Sequence, residues 1–183
     1  MIRISQILLI SALAFIAFLN SLDNAFVYDD VFTITNNYFI RDWGNFSALF
    51  TDDYFNSSGE VTYRPVVTLS YFLDYSIWRL NPLGFHLTNI LLHTISAVLA
   101  YLLLSVIVKN STVPFLTGIL FASHAILTEA VNGVSYREDL LAAVFFLGSL
   151  VLFIQSRRHF HKYVFLYPLS LFSYLLSLCS KEV

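Results

Sequence analysis

The chain has 183 residues, of which 57% are apolar and 12% charged, and its mean hydropathy is +0.71. A soluble domain carries roughly 25% charged residues, so the composition excludes an ordinary soluble protein and points to an integral membrane protein. The formal net charge of −2 decides nothing about partners, and the single Cys179 excludes an intrachain disulfide.

In chain order, the first predicted element is a span over residues 4–22. About 20 apolar residues are needed to cross the hydrocarbon core, and Ile4–Leu22 meets that requirement. Ala12-Leu13-Ala14 lies inside the apolar run rather than after it, which favours an uncleaved helix over a signal peptide. Residues 23–84 form a large loop. Loops beyond about 15 residues are functional or disordered, and the density of Phe, Tyr and Trp here argues against disorder. The loop opens on AFVYDDVFTITNN, where Asp29 and Asp30 are boxed in by Phe26, Val27, Tyr28, Val31 and Phe32. Its tail, VVTLSYFLDYSIW, follows Tyr63-Arg64-Pro65 and reads as a short helix with proline in its first turn. Val66, Leu69, Leu73 and Ile77 share its apolar face, with Ser70 and Asp74 pointing elsewhere. This helix is too short to span and is expected to lie on the membrane surface.

The second span, 85–108, carries His86, Asn89, His93 and Ser96 on one face. Polar side chains inside a span face other helices or a water-filled cavity. The two histidines are about 10.5 Å apart along the axis, too far to chelate one metal unaided. His93 is expected to bond a neighbouring helix, and His86, nearer the outer end, to face the cavity. Shorter spans follow at 113–128 and 140–155, then a fifth at 163–178, where Pro168 predicts a kink or a late helix start. The fold class is therefore all-α integral membrane, with about five transmembrane helices and a large first outer loop carrying short interfacial helices.

With a cytoplasmic N-terminus, the inner segments hold Arg3, Lys109, Arg157, Arg158 and Lys162, while all twelve Asp and Glu fall outside. That sorting obeys the positive-inside rule. It also makes the Arg157–Lys162 run a loop that touches lipid headgroups rather than nucleic acid. Four clusters then share the outer face: Asp29-Asp30, Tyr63-Arg64-Pro65, HAILTEAVNGVSYRED (124–139) and Ser180-Lys181-Glu182. Any one of these alone is most simply a solvated helix end; their convergence favours a site.

The stretches FVYDD, YRPVVTLSYFLDYSIWRLNPLGFHLTNILLHT, GILFASHAILTEAVNGVSYREDLLAAVFFLGSL and LLSLCSKE, in this order, closely resemble one branch of the GT-C glycosyltransferases. That branch contains the transmembrane O-mannosyltransferases acting on cadherins and bacterial relatives carrying tetratricopeptide repeats. The resemblance implies transfer of a sugar from a polyprenyl-phosphate carrier to a protein or glycan hydroxyl on the non-cytoplasmic side. Asp29 then becomes the expected general base and Asp30 the second candidate, since a carboxylate can take the acceptor proton. The lipid phosphate leaves without a proton donor, so cations must meet its charge. Arg64, Arg137 and Lys181 are available, with Arg137 preferred. His86, His124, Glu129, Asp139 and Glu182 complete the expected substrate-binding set.

No cofactor is certain, and a divalent metal is left open. GT-C enzymes have about twice as many spans, so residues 1–183 are expected to be the N-terminal portion of such a module, a partial GT-C fold. The portion is expected to be inactive alone, with the remaining helices supplied by a partner chain or by further sequence. A bacterial plasma membrane is the first expected location and the endoplasmic reticulum the second. The competing readings are a non-catalytic membrane remnant and a transporter or channel subunit. The second of these is disfavoured because His93 is the one ionisable residue well inside a predicted span among the first, second, fourth and fifth.

Overall fold

The computed structural model describes residues 2–54, 62–158 and 163–181, and these contain helices and turns without strands. The helices are α1 (Ile4–Ala17), α2 (Pro65–Trp78), α3 (Pro82–Ile107), α4 (Thr112–Ser123), α5 (Thr128–Asn132), α6 (Arg137–Arg158) and α7 (Leu166–Leu178). Lys162 and Glu182 lie outside the described residues.

Helix α3 is the hub. The Asn81 side chain caps it by accepting the Leu83 N–H at 3.2 Å, and Pro82 occupies the first turn, where its missing N–H costs nothing. It packs against α1, α2, α4, α5 and α6. Its polar stripe of His86, Asn89, His93 and Ser96 is buried throughout, as polar groups in a span should be. His93 meets its expectation, with Nε2 3.1 Å from the Ala122 carbonyl oxygen of α4. Further along α3, Ala97 and Tyr101 pack with Ile10 and Ala14 of α1 and with Ala122.

Two helices, α3 and α6, are long and apolar enough to cross a membrane. A third candidate span is the pair Thr112–Ser123 and Ala125–Asn132, bent by 45° at His124. Helices α1 and α7 are apolar but shorter, at 14 and 13 residues. The fourth predicted span was too short at 140–155. Helix α6 runs for 22 residues because the charges at both ends continue the helix instead of ending it. Glu138 and Asp139 sit in its first turn and Arg157 and Arg158 in its last, matching the macrodipole. In α7, Pro168 is the third helical residue, the late start expected of it. Small side chains let α6 and α7 approach closely. Ser173 Oγ donates to the Phe145 carbonyl at 2.8 Å, and Ser177 Oγ to that of Ala142 at 3.0 Å.

The described part of the 23–84 loop folds into a cap with its own core. Ile34, Phe39, Leu49 and Tyr54 pack on Phe72 of α2 and Phe85 of α3. Helix α2 starts at Pro65 as expected, and its two sides meet different surroundings. Thr68, Tyr71, Phe72 and Asp74 turn inward, while Leu73 and Ile77 are 51% and 69% exposed. Val66 and Leu69 pack against the cap core, and Leu73 and Ile77 are left facing outward. Trp78 seats against the first turn of α3, where a Cβ at Gly84 would lie 2.0 Å from the indole Cγ. A Gly84→Ala substitution is therefore expected to displace Trp78 and cost about 1–3 kcal/mol by overpacking, read as a lower melting temperature in detergent.

Candidate functional site

The acidic residues collect at the N-terminal end of α3. At the opposite end, the Arg3 N–H donates to the Tyr101 hydroxyl at 3.1 Å and Arg158 donates to the Val106 carbonyl. Arg3 and Arg158 thus mark one end of the bundle, and the other end carries the acids with Arg64, Arg137 and Lys181 paired to them.

Asp30 is fully buried. One carboxylate oxygen accepts the Val27 N–H at 3.2 Å and the other accepts the Ser135 N–H at 2.7 Å, joining the first outer loop to the segment before α6. Asp29 is exposed. Its carbonyl accepts the N–H groups of Phe32 and Thr33 at 3.0 and 2.9 Å, and the Thr33 hydroxyl at 2.9 Å. Its carboxylate has no hydrogen-bond partner among the described residues. The turn into this pair is strained: Tyr28 has φ 49, a conformation uncommon outside glycine. The expected aromatic wall is absent from Asp29. Phe26 turns inward onto Phe85, with ring centroids 5.3 Å apart, but Tyr28 and Phe32 are 87% and 72% exposed. The cap core takes Phe26 and Ile34 and leaves the rings beside Asp29 in the open, so Asp30, not Asp29, is the desolvated carboxylate.

Facing this pair is Tyr136. The negative charge of Glu129 and its hydrogen bond to the phenol raise the phenol above its ordinary pKa, and the fields of Asp29 and Asp30 act in the same direction. Asp29, Glu129 and Tyr136 therefore share one outer face. Tyr136 and Ser135 did not stand out in the sequence, because neither residue type signals chemistry unless a partner is known.

Arg137, the cation preferred for the lipid phosphate, lies inside the bundle. It is fully buried, with Nη1 2.7 Å from Asp74 Oδ2 and 3.2 Å from Ser70 Oγ. Its Nε donates to Asn89 Oδ1 at 2.8 Å and Nη2 to the Phe85 carbonyl at 3.0 Å. The guanidinium also lies 4.9 Å from the Tyr71 ring centroid. Thr88 completes the network by donating to Asp74 Oδ1 at 2.8 Å. Every nitrogen of Arg137 is engaged inside the protein, and the residue ties α2, α3 and α6 together. Ser70 and Asp74, which point away from the exposed Leu73 and Ile77, are its partners, since a buried guanidinium requires a buried counter-charge.

The other two outer cations lie at the surface beside the start of α6. Arg64 Nη1 is 2.7 Å from Glu138 Oε2, and Lys181 Nζ is 2.5 Å from Asp139 Oδ1. The Val66 N–H donates to the Cys179 carbonyl at 3.4 Å, which brings the starts of α2 and α6 and the end of α7 together. His86 is fully buried instead of facing an open cavity. His124 and Glu129 serve different partners. His124 Nδ1 accepts the Ile126 N–H at 3.2 Å, capping the turn after the break in the bent pair. It also edges an apolar pocket of about 340 Å³ with Leu120, Phe121 and Leu127. Among the described residues no three His, Cys, Asp or Glu side chains are grouped to hold a metal ion.

The chain is similar to a protein O-mannosyl-transferase of Caenorhabditis elegans, 33% identical over 178 residues that cover 93% of this chain and 26% of that protein. It is 36% identical over 150 residues to protein O-mannosyl-transferase TMTC2 of Homo sapiens, covering 79% of this chain and 18% of the relative. With protein O-mannosyl-transferase Tmtc1 of Drosophila melanogaster it shares 34% identity over 154 residues, 81% and 18% of the two chains. The chain thus spans about a quarter or less of the length of these relatives. No family model and no solved structure matches it.

Proposed function

Because the chain belongs, over the stretch it shares with them, to the family of the protein O-mannosyl-transferases, we propose that it activates the acceptor in a membrane mannosyltransferase. The donor is a polyprenyl-phosphate-linked mannose and the acceptor a protein hydroxyl on the non-cytoplasmic face. The observation that carries this reading is the split between the two adjacent carboxylates. Asp30 is pinned on both oxygens by backbone N–H groups, and Asp29 is left exposed on a strained turn beside Glu129 and Tyr136. A fixed neighbour that holds an unengaged carboxylate in place suits a base, which must meet the acceptor hydroxyl within hydrogen-bond reach.

In the proposed step the hydroxyl oxygen of the acceptor attacks the anomeric carbon, the bond from that carbon to the phosphate oxygen breaks, and Asp29 takes the hydroxyl proton. The phosphate departs as an anion. Arg64 and Lys181 are the outer cations placed to meet it, by exchanging their present carboxylate partners for phosphate oxygens. Helices α3 and α6, the bent pair, α1 and α7 make up the five membrane-crossing elements of this reading. The end carrying Arg3 and Arg158 faces the cytoplasm.

The test supplies mannosyl-phosphoryl-polyprenol with a radiolabelled sugar, together with serine- and threonine-bearing acceptor peptides, to membranes from cells producing residues 1–183 together with the further helices expected to be needed for transfer. Label is expected on the peptide hydroxyls in proportion to the protein present. Equal labelling by membranes without the protein would sink the proposal.

A further inference from the structure

We propose that one lateral face of the outer cap is a docking surface for anionic phospholipid, with the apolar side chains seated among the headgroups and Arg41 and Arg79 on the lipid phosphates. This is independent of the sugar chemistry.

Two pieces of chain far apart in sequence build the face. On the turn Trp43–Phe50, the side chains of Trp43, Phe46 and Phe50 are 46%, 38% and 65% exposed. Their rings follow one another with centroids 6.0 and 5.6 Å apart. On α2, Leu73 and Ile77 are exposed one turn apart. The halves are joined where Trp43 Nε1 donates to Ser76 Oγ at 2.7 Å and the indole packs 5.2 Å from the Phe72 ring. The result is a continuous apolar surface in which the indole N–H is already satisfied. Tryptophan with its polar edge bonded and its ring half open is typical of the membrane interface.

Height places the same face at the headgroups. Arg79 stands three positions before Pro82, the first residue of the span α3, so it lies within about a turn of the membrane surface. It makes the turn between the two helices at φ 56, where glycine would meet no steric cost. Its guanidinium carbon is 5.4 Å from the Tyr75 ring centroid, and that of Arg41 is 5.9 Å from the same ring and 4.3 Å from Tyr38. Arg41 also donates to the Thr35 carbonyl at 2.5 Å, which orients it. Neither guanidinium has a carboxylate within ion-pair distance among the described residues, whereas Arg64, Arg137 and Lys181 each have one. Two arginines without carboxylate partners around one tyrosine, bordering an apolar face at headgroup height, complement a lipid that offers acyl chains below and an anionic phosphate above.

The test reconstitutes the chain in nanodiscs containing phospholipid brominated near the glycerol end of its acyl chains. Trp43 is isolated as the fluorescence difference between the wild type and Trp43→Phe. We expect quenching of Trp43 by this lipid, stronger when the brominated species is phosphatidylglycerol than when it is phosphatidylcholine. In Arg79→Gln that headgroup preference should fall about fivefold, the factor for one arginine near an anionic surface. Quenching of Trp43 by aqueous acrylamide but not by brominated lipid means a face open to water and overturns the proposal. Protection from both means a covering protein surface and overturns it equally. Equal quenching by the two headgroups in the wild type overturns the role of the arginines.

Discussion

Replacing Arg137 with methionine is expected to destabilise the protein by about 3–5 kcal/mol, the usual cost of breaking a buried ion pair and leaving one charge unpaired. Asp74 would be left buried, with the Thr88 hydroxyl as its remaining side-chain partner, and Asn89 and the Phe85 carbonyl would lose their donors. At roughly 2–4 °C per kcal/mol for a chain of this size, the melting temperature in detergent should fall by about 10 °C. The double variant Asp74→Leu/Arg137→Met removes both charges and should recover most of the loss, because hydrophobic replacement of an entire buried pair is often neutral. If the double variant melted no higher than the single one, the ion pair would not be the bolt between α2 and the bundle. An arginine acting on a lipid phosphate instead would leave the melting temperature nearly unchanged and depress transfer alone.

The second large effect concerns the adjacent acids, whose changes should separate. Asp29→Asn is expected to lower mannosyl transfer by about 10²–10⁴-fold, the contribution of a positioned base, while membrane insertion and melting temperature stay as they were. Asn is nearly isosteric, and the exposed Asp29 side chain makes no hydrogen bond among the described residues that its loss could break. Asp30→Asn should act through the fold. One of its two oxygens becomes an NH₂ group facing a backbone N–H, either at Val27 or at Ser135. A buried donor without an acceptor costs about 1–3 kcal/mol, so Asp30→Asn should lower both melting temperature and transfer. Unchanged transfer in Asp29→Asn would remove the base assignment, and attention would then pass to Glu129 on the same face.

The residues show why some of this was legible beforehand and some was not. The inward polar stripe of α3, the start of α2 at Pro65 and the late start of α7 around Pro168 depend on side-chain stereochemistry and helical periodicity. Both are written locally. What the acid-bearing side of α2 meets was not legible: Ser70 and Asp74 could be placed off the apolar face, but their partner Arg137 arrives from a helix more than sixty residues away. Asp29 and Asp30 stand out in the sequence as a pair, yet adjacency cannot tell which of two neighbours turns inward. That choice rests on the Ser135 N–H, which arrives from a segment more than a hundred residues away.

By itself the sequence determined that this is a helical membrane protein whose acids are absent from one set of its connecting segments, and its motifs pointed to the O-mannosyltransferase branch. Those properties follow from hydropathy, charge order and motif content, each carried by neighbouring residues. Only the tertiary structure decided which charge is structural: Arg137 inside with Asp74, Asp30 pinned, Asp29 exposed, and Arg41 and Arg79 without carboxylate partners among the described residues. The cost of burying a charge depends on the partner that packing brings to it, and helical periodicity specifies a face without specifying what that face will meet.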